Sequence, residues 1–351
     1  MNKKPGEAAG APKPWEIRRE AELKRSQPYR KDSFVHNQRR RCFGVDYSDR
    51  NSYLFTINLS KNVPDLSIIK PVRDANGALV PDVTITASGQ AALQSLEVLS
   101  HVKGIEIVAK AIMPDHVHLM VYVHEKLPRH VGSYIQGFMA GCTSRWKKIM
   151  INEGRAFDQS FFEDDYNDRV CMHKGQWQIM KDYVNDNYRR RAMIMAHPDY
   201  FQKIRNIQLC GRRLSIYGNP YLLKSPERMV IRWSSRFTPE ELEKREKALL
   251  DISRHHGVVK SPLINENERN LKDKCIAAGA RLIHVIWQGF PDRYKPAKSE
   301  FELCQQGRLL IIALNPGVPG TEKLSRAMAM EMNALSELLC DYTTPPQTFL
   351  R

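Results

Sequence analysis

The run Ile112-Met113-Pro114-Asp115-His116-Val117-His118-Leu119-Met120-Val121 sets two histidines around one valine at the head of an apolar stretch. Side chains alternate faces along a β-strand, so His116 and His118 project together while Val117 points away. Two imidazoles side by side are a ready ligand pair for a divalent cation; they are equally a pair of half-buried strand histidines. A second element follows at Trp177-Gln178-Ile179-Met180-Lys181-Asp182-Tyr183-Val184-Asn185-Asp186-Asn187-Tyr188-Arg189-Arg190-Arg191. No Pro or Gly interrupts it before Pro198, and Ile179, Tyr183 and Asp186 recur at helical spacing, so it reads as one helix. Tyr183 and Asn187 lie one turn apart and share a face. A phenol is a nucleophile, a carboxamide oxygen is a third metal ligand, and a metal polarises a phosphodiester. Together the four residues form a set suited to phosphoryl transfer.

Pro114-Asp115-His116-Val117-His118-Leu119 resembles the HUH signature of the single-tyrosine transposases of single-stranded DNA, the group of the IS200-like and REP-associated tyrosine transposases. Phe157-Asp158-Gln159-Ser160-Phe161-Phe162-Glu163-Asp164-Asp165-Tyr166-Asn167-Asp168-Arg169 is similar to the aromatic and charged stretch before that family's tyrosine helix. Asp182-Tyr183-Val184-Asn185-Asp186-Asn187 resembles the helix itself. The similarity spans roughly residues 50 to 200. It implies Mg²⁺ or Mn²⁺ held by His116, His118 and Asn187, with Tyr183 as the nucleophile. It also implies a 5′-phosphotyrosine intermediate, a free 3′-hydroxyl, and a single-stranded DNA substrate with a hairpin, REP-like or from an element end. The relatives continue with Asn-Pro and a nearby Gly. Here Tyr188-Arg189-Arg190-Arg191 follows Asn187, which makes Tyr188 the second candidate nucleophile.

Charge agrees with a polyanionic partner. The formal net charge is +15, from 54 Lys and Arg against 39 Asp and Glu. Such a balance favours phosphate contacts and counterion release. Residues 1–41 hold 12 Lys/Arg and 5 Asp/Glu and end in Arg39-Arg40-Arg41. Arg189-Arg190-Arg191 sits beside the tyrosine, where a scissile phosphate would lie; cations are also at home near a helix C-terminus. Both triplets are expected DNA contacts. Asp115, Glu125 and Asp182 read as surface or turn residues that could also tune the histidines or the tyrosine.

No apolar run approaches the roughly 18 residues of a membrane span, and the N-terminus lacks the apolar core of a signal peptide. The seven cysteines form no Cys-x-x-Cys pair and read as reduced thiols of a cytoplasmic protein without a zinc ribbon.

The expected fold class is α+β in two parts. Residues 1–50 are a disordered start and a basic arm. Residues 51–204 carry a strand at Tyr53–Leu59, a loop with room for one hairpin, a helix at Gln90–Leu99, strands at Ile105–Ile112 and His116–Val123, a helix at Val131–Met150, a last strand within 157–170, and the tyrosine helix. That order suggests a ferredoxin-like split βαβ sheet with an added helix, and the resemblance implies the same. Residues 205–351 alternate helices with apolar strands and suggest a smaller, parallel, doubly wound Rossmann-like domain. Thr238-Pro239-Glu240-Glu241 starts one of its helices by a capping box. This part distantly resembles the DNA-processing-A and lysine-decarboxylase-like Rossmann domains. It shows no glycine-rich phosphate loop, and it is expected to be accessory rather than catalytic.

Two other functions fit the same residues. One is a catalytically silent DNA-binding regulator derived from such an enzyme. The other is a metal-dependent hydrolase that uses water. A homodimer, and whether the tyrosine acts in its own subunit or a partner's, are left open by the sequence.

Overall fold

Tyr53, Phe55 and Ile57 alternate with Leu54, Thr56 and Asn58 along Ser52–Leu59, β1. The first three are fully buried, which puts one whole face of the strand into a core. The computed structural model describes residue 42 and residues 45–234, 236–291, 294–315 and 323–341; Arg39, Arg40 and Arg41 lie outside the described residues. After β1 comes an antiparallel hairpin, β2 (Ser67–Arg73) and β3 (Leu79–Ile85), where the sequence suggested mainly loop. Helix α1 (Ala87–Ser100) starts at Thr86, whose side chain accepts from Gly89 N. Strands β4 (Ile105–Ile112) and β5 (His116–Val123), helix α2 (Val131–Asn152) and strand β6 (Phe162–Val170) follow. The four long strands form one sheet in the order β4-β5-β1-β6, with antiparallel neighbours throughout.

Both sheet faces are used. Leu96 and Leu99 of α1 and Ile135, Phe138 and Trp146 of α2 bury against Phe55, Ile57, Leu119 and Val121. The opposite face presents Leu54, Ala109, Ala111 and Met120, and Met180, Val184 and Ala192 cover it together with Ile69 of the hairpin. The expected single helix over 177–191 is two segments, α3 (Gln176–Asn185) and α4 (Asn187–Ala196), with Asp186 between them. Asn187 explains the interruption. Its Nδ2 donates to Tyr183 O at 2.7 Å and to Val184 O at 3.3 Å, taking carbonyls that the helix ladder would otherwise use.

The chain divides into two compact units, Met1–Ala192 and Met193–Arg351. The sequence reading placed the division at 204/205, which would cut a strand, β7 (Gln202–Leu209), that belongs to the second sheet. A register shift between Ile204 and Ile207, with Asn206 at φ 57°, breaks the strand's period-two pattern and hides it in the sequence. Cys210 and Gly211, at φ 51° and 70°, turn β7 into β8 (Arg212–Gly218), as a two-residue hairpin requires. Then come β9 (Arg228–Val230), α5 (Pro239–Arg254) with the expected capping box at Thr238 and Glu241, β10 (Val258–Ser261), α6 (Glu266–Ala277), β11 (Arg281–Ile286), α7 (Lys298–Gln305), β12 (Leu309–Ala313) and α8 (Arg326–Asp341).

The sheet order is β7-β8-β12-β11-β10-β9. Strands β9 to β12 are parallel, but β12 pairs antiparallel with β8, so the expected all-parallel sheet is corrected to a mixed one. Met332, Leu335 and Leu339 of α8 pack on Val258, Ile283, Val285, Leu310 and Ile312. The three connections α5, α6 and α7 step in one direction across the sheet, so right-handed crossovers place them all on the other face. No described helix is long and apolar enough to cross a membrane.

Gly89 tests the packing of the first unit. A Cβ there would collide with Leu66 O and with the Ile85 side chain. Gly→Ala in an open helix stabilises by about 1 kcal/mol. At Gly89 the sign reverses: Gly89→Ala lowers the midpoint of urea unfolding.

Candidate active site

The site is built on the turn between β4 and β5. Three backbone bonds pin that turn: Met113 N to His116 O at 2.9 Å, Leu59 N to Asp115 O at 2.9 Å, and Leu66 N to Pro114 O at 2.9 Å. Strand β5 therefore starts at His116 in a fixed register. His116 faces Asn58 and His118 faces Thr56 on β1, while Ala111 of β4 flanks His118 on the other side. Ala109 and Ala111 are small, which lets α3 lie close over β4 with Met180 and Val184 as its buried contacts. That packing lowers Tyr183 onto the histidines.

The two histidines converge. His116 Nε2 and His118 Nε2 are 3.1 Å apart, with their rings edge to face. The Tyr183 hydroxyl lies 3.3 Å from His118 Nε2, and both belong to the same chain. The outer nitrogens are also held. His116 Nδ1 meets Asp115 Oδ1 at 2.7 Å, and His118 Nδ1 meets Thr56 Oγ1 at 2.9 Å. The hydrogen bond from His116 holds the Asp115 carboxyl at about 2, and the positive charge of Arg191 acts in the same direction. An ionised carboxylate only accepts, so Nδ1 of His116 carries a hydrogen, and Nε2 is the nitrogen turned towards His118.

This donor set fits a divalent cation. Nitrogen ligands at about 2.1 Å from one ion, at a near-right angle, stand about 3 Å apart. Each ring is oriented through its other nitrogen, as metal-bound histidines are. Among the described residues no group of three His, Cys, Asp or Glu could hold a metal. Asn187, the third ligand expected from the sequence, makes its side-chain bonds to the helix and not to the histidines. It is buried, one turn beyond Tyr183, and both hydrogens of its amide point at helix carbonyls, which leaves Oδ1 as the donor atom.

The remaining sequence candidates separate. The Tyr188 hydroxyl accepts from Ile112 N at 2.6 Å, and burial pushes its phenol up, so it serves the end of β4 instead of the histidines. Arg189 is bound to Asp186 at 2.5 Å, and Arg190 lies 4.0 Å from the same carboxylate. Arg191 is exposed and faces the field of Asp115. Asp182 accepts from Gln178, and Glu125 pairs with Lys103, so of the three candidate tuning acids only Asp115 reaches a histidine. Thr56 escaped the sequence reading. Its only signal was a polar side chain within an apolar strand, and register alone places it opposite His118.

Tyr188→Phe removes the acceptor of a partly buried N–H, which costs about 1–3 kcal/mol. Thermal unfolding should show that loss.

Residues 85–187 match the family described as Transposase IS200 like. No curated protein matches the chain. Among solved structures, the chain is similar to a REP-associated tyrosine transposase bound to a REP hairpin, at 14% identity and TM-score 0.29, covering 41% of this chain and 69% of that one. A putative transposase from Deinococcus radiodurans R1 is 16% identical at TM-score 0.25, covering 40% of this chain and 95% of that one. DNA processing protein A from Helicobacter pylori, described for its single-stranded DNA binding mode, is 14% identical at TM-score 0.29, covering 40% of this chain and 65% of that one.

Proposed function

We infer, from residues 85–187 being of the IS200-like transposase family and from the Tyr183 hydroxyl resting on His118, that the protein is a metal-dependent endonuclease and strand transferase of single-stranded DNA. The carrying observation is the convergence of His116 Nε2, His118 Nε2 and the Tyr183 hydroxyl on one spot. In this reading the first unit is a ferredoxin-like catalytic domain with an added tyrosine helix. The second is a Rossmann-like accessory domain of a cytoplasmic protein. Among the described residues its four parallel strands run in one order without reversal.

Tyr183 Oη attacks the scissile phosphorus. The new bond is Oη–P and the broken bond is P–O3′. The phenol loses its proton as the bond forms, and the departing 3′-oxygen takes one up. The product is a 5′-phosphotyrosine with a free 3′-hydroxyl. A second 3′-hydroxyl reverses the step, so bond energy is kept and no ATP is needed. His116 Nε2, His118 Nε2 and Asn187 Oδ1 would hold Mg²⁺ or Mn²⁺, which neutralises charge on the phosphate oxygens. Asp115 and Thr56 keep the two imidazoles in place. Arg191 is exposed beside Asp115 and offers a cation to the incoming backbone. The substrate is single-stranded DNA with a hairpin near the cut. Tyrosine and histidine meet within one chain, which supports a reaction in cis.

The test is labelled hairpin DNA incubated with Mn²⁺ or Mg²⁺ and run on a denaturing gel. Wild type and Tyr188→Phe should give a DNA–protein adduct; Tyr183→Phe and wild type in EDTA should give none. Cleavage surviving Tyr183→Phe without an adduct would identify a water-using hydrolase, and binding without cleavage a silent regulator.

An equimolar mixture of His116→Ala and Tyr183→Phe should stay inactive. Recovery of the adduct in that mixture would establish catalysis in trans.

A further inference from the structure

Thr56 is a half-buried strand residue whose one side-chain bond to the site is to His118 Nδ1, at 2.9 Å. Packing alone does not call for a hydroxyl there, since valine has the same branched shape and a strong strand preference. The second torsion of histidine is broad and two-fold. Turning the His118 ring over would exchange Nδ1 with Cδ2 and Nε2 with Cε1. A carbon would then stand where Nε2 now meets both His116 and Tyr183. Thr56 Oγ1 distinguishes the two orientations, because it bonds a nitrogen and gains nothing from a ring carbon. When Oγ1 accepts from Nδ1–H, the lone pair sits on Nε2, the atom that the site uses. The two histidines are thus held by different groups: His116 by the neighbouring carboxylate of its own turn, His118 by a hydroxyl on the adjacent strand.

We propose that Thr56 is a positioning residue that selects the ring orientation of His118, and through it sets cation affinity and the placement of the Tyr183 hydroxyl. The proposal rests on the metal-site reading above. It places a functional residue on β1, outside the segment 85–187 that the family covers.

The probe is Mn²⁺ alone, titrated into the full-length protein without DNA and followed by the electron paramagnetic resonance signal of free Mn²⁺. Wild type should bind and His118→Ala should not. Thr56→Val should lose on the order of 10–100-fold in affinity, the range for removed outer partners of metal ligands. Thr56→Ser keeps the hydroxyl and should bind like wild type. Rescue by Thr56→Ser separates a role of the hydroxyl from one of packing. Thr56→Val binding Mn²⁺ like wild type, while His118→Ala fails to bind, would overturn the role of Thr56 and leave the metal site standing. Wild type binding no more Mn²⁺ than His118→Ala would overturn the metal site itself, and the proposal with it.

Discussion

The antiparallel register of β5 between β1 and β4 is the constraint on which the site depends. It places His118 opposite Thr56 on one side and Ala111 on the other. The first neighbour holds the ring by its outer nitrogen. The second is small enough for a helix to pass above it. A slip of one residue would turn both histidines into the apolar face and Val117 into the site, so no partial version of the arrangement exists. The three backbone bonds that pin Met113, Pro114 and Asp115 guard this register at the strand's start.

Burial on both faces of the sheet makes that register costly to leave. Phe55, Ile57, Leu119 and Val121 sit under α1 and α2, and Leu54 and Met120 sit under Met180 and Val184. The helix that carries the nucleophile is therefore part of the core and not an appended arm. Tyr183 reaches His118 because Met180 and Val184, three residues before it and one after, are buried on the sheet. Asn187 interrupts the helix just past that contact, and the same hydrogen bonds that cause the break turn its oxygen into the free end of the carboxamide.

The second unit follows the general logic of parallel sheets. Its four parallel strands advance in one direction, and the sheet is completed by an antiparallel hairpin instead of a second parallel half. Helix α8 covers the remaining face through Met332, Leu335 and Leu339. These features account for a well-packed body.

By itself the sequence determined everything that depends on local periodicity. Strands at 105–112 and 116–123 were legible from apolar runs around a Pro-Asp turn, the common facing of His116 and His118 from period two, and the start of α5 from Thr238, Pro239 and Glu241. Tyr183 and Asn187 were legible as neighbours because one helical turn separates them. Tertiary structure decided what depends on pairing between distant segments. Only cross-strand register could show Thr56 under His118, and only packing on Ala109 and Ala111 could bring Tyr183 to the same ring and carry the Tyr188 hydroxyl away to Ile112. Strand β7 was hidden because its bulge erased the alternation that marks a strand. Spacing along the chain encodes which side chains share a face; which faces meet is settled by burial and hydrogen bonding across the whole fold.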